Sequence, residues 1–194
     1  MKTRLLSGDA LIIVDLQNDF LPGGSLPVAG GNTIIPMLNR YITDFHARRL
    51  PIVATRDWHP INHCSFESFG GPWPPHCIAN TEGAAFPTAL QLPACTKIIS
   101  KATTQSKDAY SAFSDTPLNE LLHSLNVKRL FFGGLATEYC VLNTVKDAIR
   151  FHYVTFILED AVCAINQQPD DGHDALLTMK RLGAIPTKDE AIER

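Results

Sequence analysis

Asp15, Lys101 and Asp57 each stand at the polar end of a short apolar run, Cys140 stands just after another, and His59 and His76 follow Asp57 at short range. Taken singly, each has an ordinary explanation: a turn-capping carboxylate, a solvated amine, a small buried thiol. Gathered at one edge of one sheet, they make an acid, an amine and a nucleophile. A free thiol has a pKa of about 8.5, so only a few per cent of it is thiolate at neutral pH. Asp15 is the base that would accept the Cys140 proton, and Lys101 would hold Asp15 and balance its charge, a Cys-Asp-Lys version of an activated nucleophile. A helix expected to begin near Thr137 puts Cys140 in its first turn, where unpaired N–H groups and the helix dipole favour an anion. Backbone N–H groups of Ala136 and Cys140 on that turn would converge on a developing carbonyl oxygen. Gly133 and Gly134 let the backbone approach closely there.

The stretch "RDWHPINHCSFESFGGPWPPHC", residues 56–77, offers a second chemistry. A closed structural zinc site would need four Cys/His ligands, for which Cys64, Cys77, His63 and His76 are available, but no C-x-x-C pair is present. Asp57 and His59 at a strand end, with His76 after the proline run, instead make a three-ligand oxygen and nitrogen site with open positions, as a catalytic or substrate-binding metal requires. His46, His123, His152 and His173 have no partners in sequence, and no role is expected of them.

These positions depend on the elements that carry them. "ALIIVDL", "PIVATRD", "TKIISK", "KRLFFGGL" and "HYVTFILED" read as buried strands, with a short sixth near "AIPT". Helical spacing appears in "NTIIPMLNRYITDFHARR", "TPLNELLHSLN", "TEYCVLNTVKDAIRF" and "DDGHDALLTMKRLG"; Asn32 or Thr33 is the expected cap of the first, and Pro36 fits only its first turn. Alternation of the two predicts an α/β fold, a doubly wound, mostly parallel six-stranded sheet with helices on both faces. Ligands of such sheets bind beyond the carboxyl ends of the strands, where Asp15, Asp57, Lys101 and the "GGLATEYC" turn fall. Residues 1–194 are expected to form one domain, with 58–95 as a long metal-binding loop or lid.

Composition narrows the classes. With 45% hydrophobic and 19% charged residues and a net charge of −3, the chain reads as an ordinary globular protein without the basic footprint that nucleic acid demands. The apolar run from Ala10 to Val14 is too short to span a bilayer, so no membrane partner and a cytoplasmic location are expected. Five cysteines at irregular spacing predict free thiols rather than a disulfide framework.

Together "IIVDLQNDFLPGGSLPV", "TRDWHPINHCSF", "WPPHCIANTEGAAF", "SKATTQSKDAYSAF" and "GGLATEYCV" resemble the nicotinamidases of the isochorismatase-like cysteine hydrolases, in order over nearly the whole chain. The resemblance implies hydrolysis of nicotinamide, and also of pyrazinamide, to the acid and ammonia in salvage of the nicotinamide cofactor. It implies Asp15, Lys101 and Cys140 as the catalytic residues. It implies one divalent metal on Asp57, His59 and His76, usually zinc, with iron or manganese in some members. Phe20 and Trp73 would sandwich a small aromatic amide, and a cis peptide is expected at Leu135–Ala136. Dimers or tetramers are common in the superfamily, so a homo-oligomer is expected.

Two departures stand out. The run after Lys101 lacks the Gly-Thr and Asp-Pro-rich pattern of relatives, which makes Lys107 a rival, though only Lys101 ends a strand. Relatives also recruit an extra His or Glu ligand, and the sequence does not choose between His63 and Glu67. The alternative activity is hydrolysis of N-carbamoyl or ureido compounds on the same triad, against which the metal motif argues. A phosphatase using Asp15 and Asp19 lacks the usual D-x-D spacing, and a metal or redox protein without catalysis would not need Asp15 and Lys101.

Overall fold

A computed structural model describes residues 2–193. In chain order the regular elements are β1 (Thr3–Arg4), β2 (Asp9–Val14), α1 (Ile35–Ala47), β3 (Ile52–Asp57), β4 (Lys97–Lys101), α2 (Leu118–Ser124), β5 (Arg129–Leu135), α3 (Leu142–Arg150), β6 (Val154–Cys163), α4 (Asp171–Arg181), β7 (Ile185–Thr187) and β8 (Ile192–Glu193). The main sheet has six strands in the order β4-β3-β2-β5-β6-β7, every pair parallel. The α/β architecture expected from the sequence is therefore present.

Alternation along β2 shows why the sheet needs cover on both faces. Leu11 and Ile13 pack with Leu38, Tyr41 and Phe45 of α1, whereas Ala10, Ile12 and Val14 pack with Leu118 and Leu122 of α2, Val145 of α3 and Met179 of α4. All six residues of β2 are buried, so its sequence is an unbroken apolar run after Asp9. Asp9 itself lies at the opposite end from the chemistry, held by Arg129 through Nε–Oδ1 and Nη2–Oδ2 bonds of 2.6 and 2.7 Å.

The strand order reverses at β2, which pairs with β3 on one side and β5 on the other. A crevice opens beyond the carboxyl ends of strands at such a point. Gly134 is what lets β5 lie close there: its φ is +126°, and a Cβ would stand 2.1 Å from the Val14 carbonyl oxygen. The β5–β6 register shifts between Phe132 and Gly134. Segment 58–95 crosses the same end, with one short 3₁₀ turn at Glu67–Phe69 and two isolated bridges, His59 with Ile78 and Phe66 with Trp73.

Two local expectations need correction. Neither Asn32 nor Thr33 caps α1; a 3₁₀ turn at Gly31–Ile34 leads into the helix, and Thr33 Oγ1 donates to the Gly30 carbonyl instead. The chain near Thr137 begins as a π-helical turn, Thr137–Val141, before α3. The pairing of β1 with β8 was not anticipated, because two-residue strands carry no periodic signal.

Candidate active site

Four of the six strands, β2 to β5, each bring one candidate group to the same edge. Asp15 follows β2, Asp57 ends β3, Lys101 ends β4 directly across from Asp57 in the register, and Cys140 lies on the turn after β5. All four are buried, Asp15 completely and Lys101 to within 1%. Backbone strain accompanies them: Asp15, Cys77 and Ala102, the last two adjoining His76 and Lys101, have φ of +47°, +46° and +51°. Left-handed conformations in non-glycine residues persist where surrounding contacts fix them, and they gather at functional sites. The Leu135–Ala136 peptide is cis, as the resemblance implied.

Lys101 is the hub. Its Nζ donates to Asp57 Oδ1 at 2.5 Å, to the Ala109 carbonyl at 2.9 Å and to Cys140 Sγ at 3.5 Å. These three bonds use the whole ammonium valence. Asp15 Oδ2 lies 3.0 Å from the same nitrogen but has no aligned donor, while Asp15 Oδ1 accepts the Thr55 hydroxyl at 2.6 Å. Asp15 Oδ2 is thus ion-paired with Lys101 and stands beside a thiol whose sulfur lies within 4.8 Å of the carboxylate.

Electrostatics separate the groups. Burial raises the Asp15 carboxyl, only partly countered by Lys101, and Asp57 raises it further. Asp57 also suffers burial, but Lys101 and His59 outweigh it and hold this carboxyl below the usual range. Burial lifts the Cys140 thiol well above its ordinary value despite Lys101, with Asp15 and Asp57 adding to the rise. Burial would discharge Lys101, yet Asp15 and Asp57 keep it protonated. The thiol and the Asp15 carboxyl beside it are both made more basic by burial, which suits passage of a proton between them during attack.

Asp57, His59 and His76 converge so that one donor atom from each falls within 4.8 Å of the others. Both ring nitrogens of His59 are buried without any hydrogen-bond partner. His76 Nδ1 is bonded to the Pro74 carbonyl at 2.7 Å, which leaves Nε2 as its donor atom. An orphaned buried imidazole, a second one oriented from behind and a carboxylate fit a divalent ion with open coordination positions. His63 and Glu67 are not brought into this set: the His63 ring meets Ser65 Oγ at 2.7 Å and the Lys107 carbonyl at 3.0 Å, and Glu67 is exposed. Lys107 is exposed as well and pairs with Asp115, so Lys101 alone of the two lysines reaches the site.

Phe20 and Trp73 line a cavity of about 30 Å³ with Leu26, Tyr110, Tyr139 and Ile165, floored by Cys140, Asp57, His76 and Ala136. Trp73 Nε1 donates to Tyr110 Oη at 3.0 Å, joining segment 58–95 to the loop after β4.

Several residues at the site were not foreseen. Gln17 holds Asp57 from both sides, donating Nε2–H to its carbonyl at 2.8 Å and accepting its N–H at 2.7 Å. Asp19, considered above only as a phosphatase acid, accepts the Cys77 N–H at 2.7 Å and the Ser25 N–H at 3.2 Å. The "DLQNDF" motif therefore supplies a buried carboxyl at Asp15, hydrogen-bonding clamps on the Asp57 backbone at Gln17 and on the Cys77 backbone at Asp19, and an aromatic wall at Phe20. Its polar residues were the available signal. Tyr139 adjoins Cys140 and Tyr110 lies in the run after Lys101, yet neither was assigned a role, and Ile165 lies in a stretch that carried no motif.

The fold and the site define a hydrolase class, and the isochorismatase domain model matches residues 9–191. The chain belongs to the isochorismatase family. Within it, the sequence is 36% identical over 196 residues to a nicotinamidase of Escherichia coli, covering 90% of this chain and 92% of that protein. A pyrazinamidase of Pyrococcus horikoshii solved in complex with zinc is 49% identical, with a TM-score of 0.90 over 93% of this chain and 99% of that one. PnC1 from L. infantum, solved in complex with nicotinate, is 37% identical with a TM-score of 0.92, covering 100% and 99% of the two chains.

Proposed function

We propose that the protein is a metal-containing amidohydrolase that converts nicotinamide to nicotinate and ammonia, and acts on pyrazinamide by the same route, in cytoplasmic salvage of the nicotinamide cofactor. The observation that carries this reading is the shared floor of one aromatic-lined cavity, where the Cys140 thiol lies beside Asp57 and His76. The nicotinamidase and pyrazinamidase relatives support it.

Two acyl-transfer steps follow from the groups present. Asp15 Oδ2 takes the Cys140 proton as the sulfur attacks the carboxamide carbon, and the carbonyl oxygen becomes an oxyanion facing the N–H groups of Ala136 and Cys140. Asp15 returns the proton to the leaving nitrogen, ammonia departs, and a thioester remains on Cys140. Water then attacks the thioester, giving its proton to Asp15, and the acid is released as that proton goes back to the sulfur. Lys101 stays charged throughout and offsets the negative charge that passes between Asp15 and Cys140. Asp57, His59 and His76 would hold a divalent ion, for which zinc is our choice, and the ion would supply Lewis-acid chemistry to the ring nitrogen of the substrate.

The second reading, hydrolysis of N-carbamoyl or ureido compounds on the same triad, gives the metal donors no task. Ammonia release measured on nicotinamide, pyrazinamide and an N-carbamoyl amine, with metal analysis of the same protein, separates the two. Turnover of the ring amides with one equivalent of bound metal is expected. Turnover of the carbamoyl compound alone overturns the reading.

A further inference from the structure

Ile165 reaches the cavity from the loop between β6 and α4, and forms its apolar wall with Leu26, Phe20 and Trp73. That loop is fastened on both sides of Ile165. Upstream, Cys163 Sγ donates to the Ala29 carbonyl at 3.3 Å, on the segment that also carries Leu26. Downstream, the Asn166 N–H donates to Glu138 Oε1 at 2.7 Å. Asn166 has a φ of +54°, and its Oδ1 accepts the Gly172 N–H at 2.9 Å in the first turn of α4. Gly172 must be glycine for this turn to close, since a Cβ there would lie 2.4 Å from the Ala164 side chain.

Glu138 is two residues ahead of Cys140 on the same π-helical turn, so one carboxyl group connects the nucleophile's turn to the residue beside Ile165. Its other oxygen, Oε2, is buried without a partner. Glu138 is half-buried, and its bond to the Asn166 N–H spans 28 residues of sequence, so it ties two separate segments together. Glu138 takes no part in the proposed proton transfers, and its position is explained by the loop it holds.

We propose that Ile165 is the residue that sets which ring substituents the pocket accepts, and that Glu138 is the positioning residue that holds it against the substrate ring. The proposal rests on the ring-amide reading above. An apolar wall discriminates by size: a methyl or methylene group in such a pocket changes selectivity by about 10–200-fold. Removing the wall loosens ground-state and transition-state binding together, which raises KM and leaves kcat in place. Loss of the tether acts in the same direction and only through Ile165.

The test is steady-state ammonia release from nicotinamide and from 5-methyl- and 6-methylnicotinamide. Ile165→Ala is expected to raise KM for nicotinamide about 10-fold with kcat within about 3-fold, and to raise kcat/KM for at least one methylated ring. Ile165→Val should fall between it and the parent. Glu138→Ala should raise KM about 5-fold, Glu138→Gln, whose amide oxygen still accepts the Asn166 N–H, should restore it, and Glu138→Ala should add nothing to Ile165→Ala. Parental KM and ring preference in Ile165→Ala, or a Glu138→Ala effect confined to kcat, overturns the proposal while the activity reading stands. No ammonia from any ring amide with the unaltered protein overturns the activity reading, and this proposal with it.

Discussion

The Lys101 ammonium and the Asp57 carboxylate are bonded at 2.5 Å across adjacent strands, so the lysine that faces Asp15 and Cys140 also forms a buried ion pair with a carboxylate of the candidate metal site. Lys101 also touches Cys140 and faces Asp15. One side chain thereby joins Asp15, Cys140 and Asp57.

Lys101→Met is expected to disable both halves of the site. It leaves Asp15 and Asp57 buried without their counter-ion, and breaking a buried pair in this way costs about 3–5 kcal/mol. Ammonia release should fall at least about 100-fold, because one carboxyl would take up a proton to escape the repulsion. Thermal unfolding and metal titration on the purified variant check this.

Asp19→Ala should weaken metal binding without touching the nucleophile. Asp19 Oδ2 holds the Cys77 N–H, next to His76, the proposed ligand. Loss of a group that orients a ligand typically costs 10–100-fold in metal affinity. Turnover at limiting metal should drop, and excess metal should restore most of it.

Gly83→Ala should reproduce that behaviour from the opposite side. A Cβ at Gly83 would stand 2.2 Å from Asp19 Oδ2, so the carboxylate has to leave its position. Metal affinity measured by competition with a chelator should move in the same direction as in Asp19→Ala. An unchanged affinity would show that Asp19 does not orient His76.

Asp9→Ala tests the opposite end of the sheet. Asp9 is fully buried, and Arg129, about a fifth exposed, binds both of its oxygens. Removing the carboxylate should destabilise the fold by about 2–3 kcal/mol, less than for a wholly buried pair because water reaches Arg129. Denaturant unfolding should show this loss while kcat and KM stay at parental values.

The residues that end strands were legible because a parallel sheet converts sequence into position. An apolar run that stops at Asp15, Asp57 or Lys101 puts that residue at the carboxyl edge, and right-handed crossovers bring the edges together. The turn bearing Cys140 was legible from the glycines that end β5. Gln17, Asp19, Tyr110 and Ile165 were not read as site residues, since their roles depend on partners 40 or more residues away in most cases, as with Gln17 and Asp57 or Asp19 and Cys77. The entry of α1 was misread for a local reason: Gly30 in the left-handed region starts a 3₁₀ turn, which displaces the cap from the side chains expected to form it.

The central claim is that the Cys140 sulfur is the nucleophile, and Cys140→Ala tests it most directly. Ammonia release from nicotinamide should fall at least about 1,000-fold, while bound metal stays at one equivalent and the unfolding temperature holds. Substantial turnover with the metal retained would contradict the account, because the carboxamide would then be attacked without a thioester.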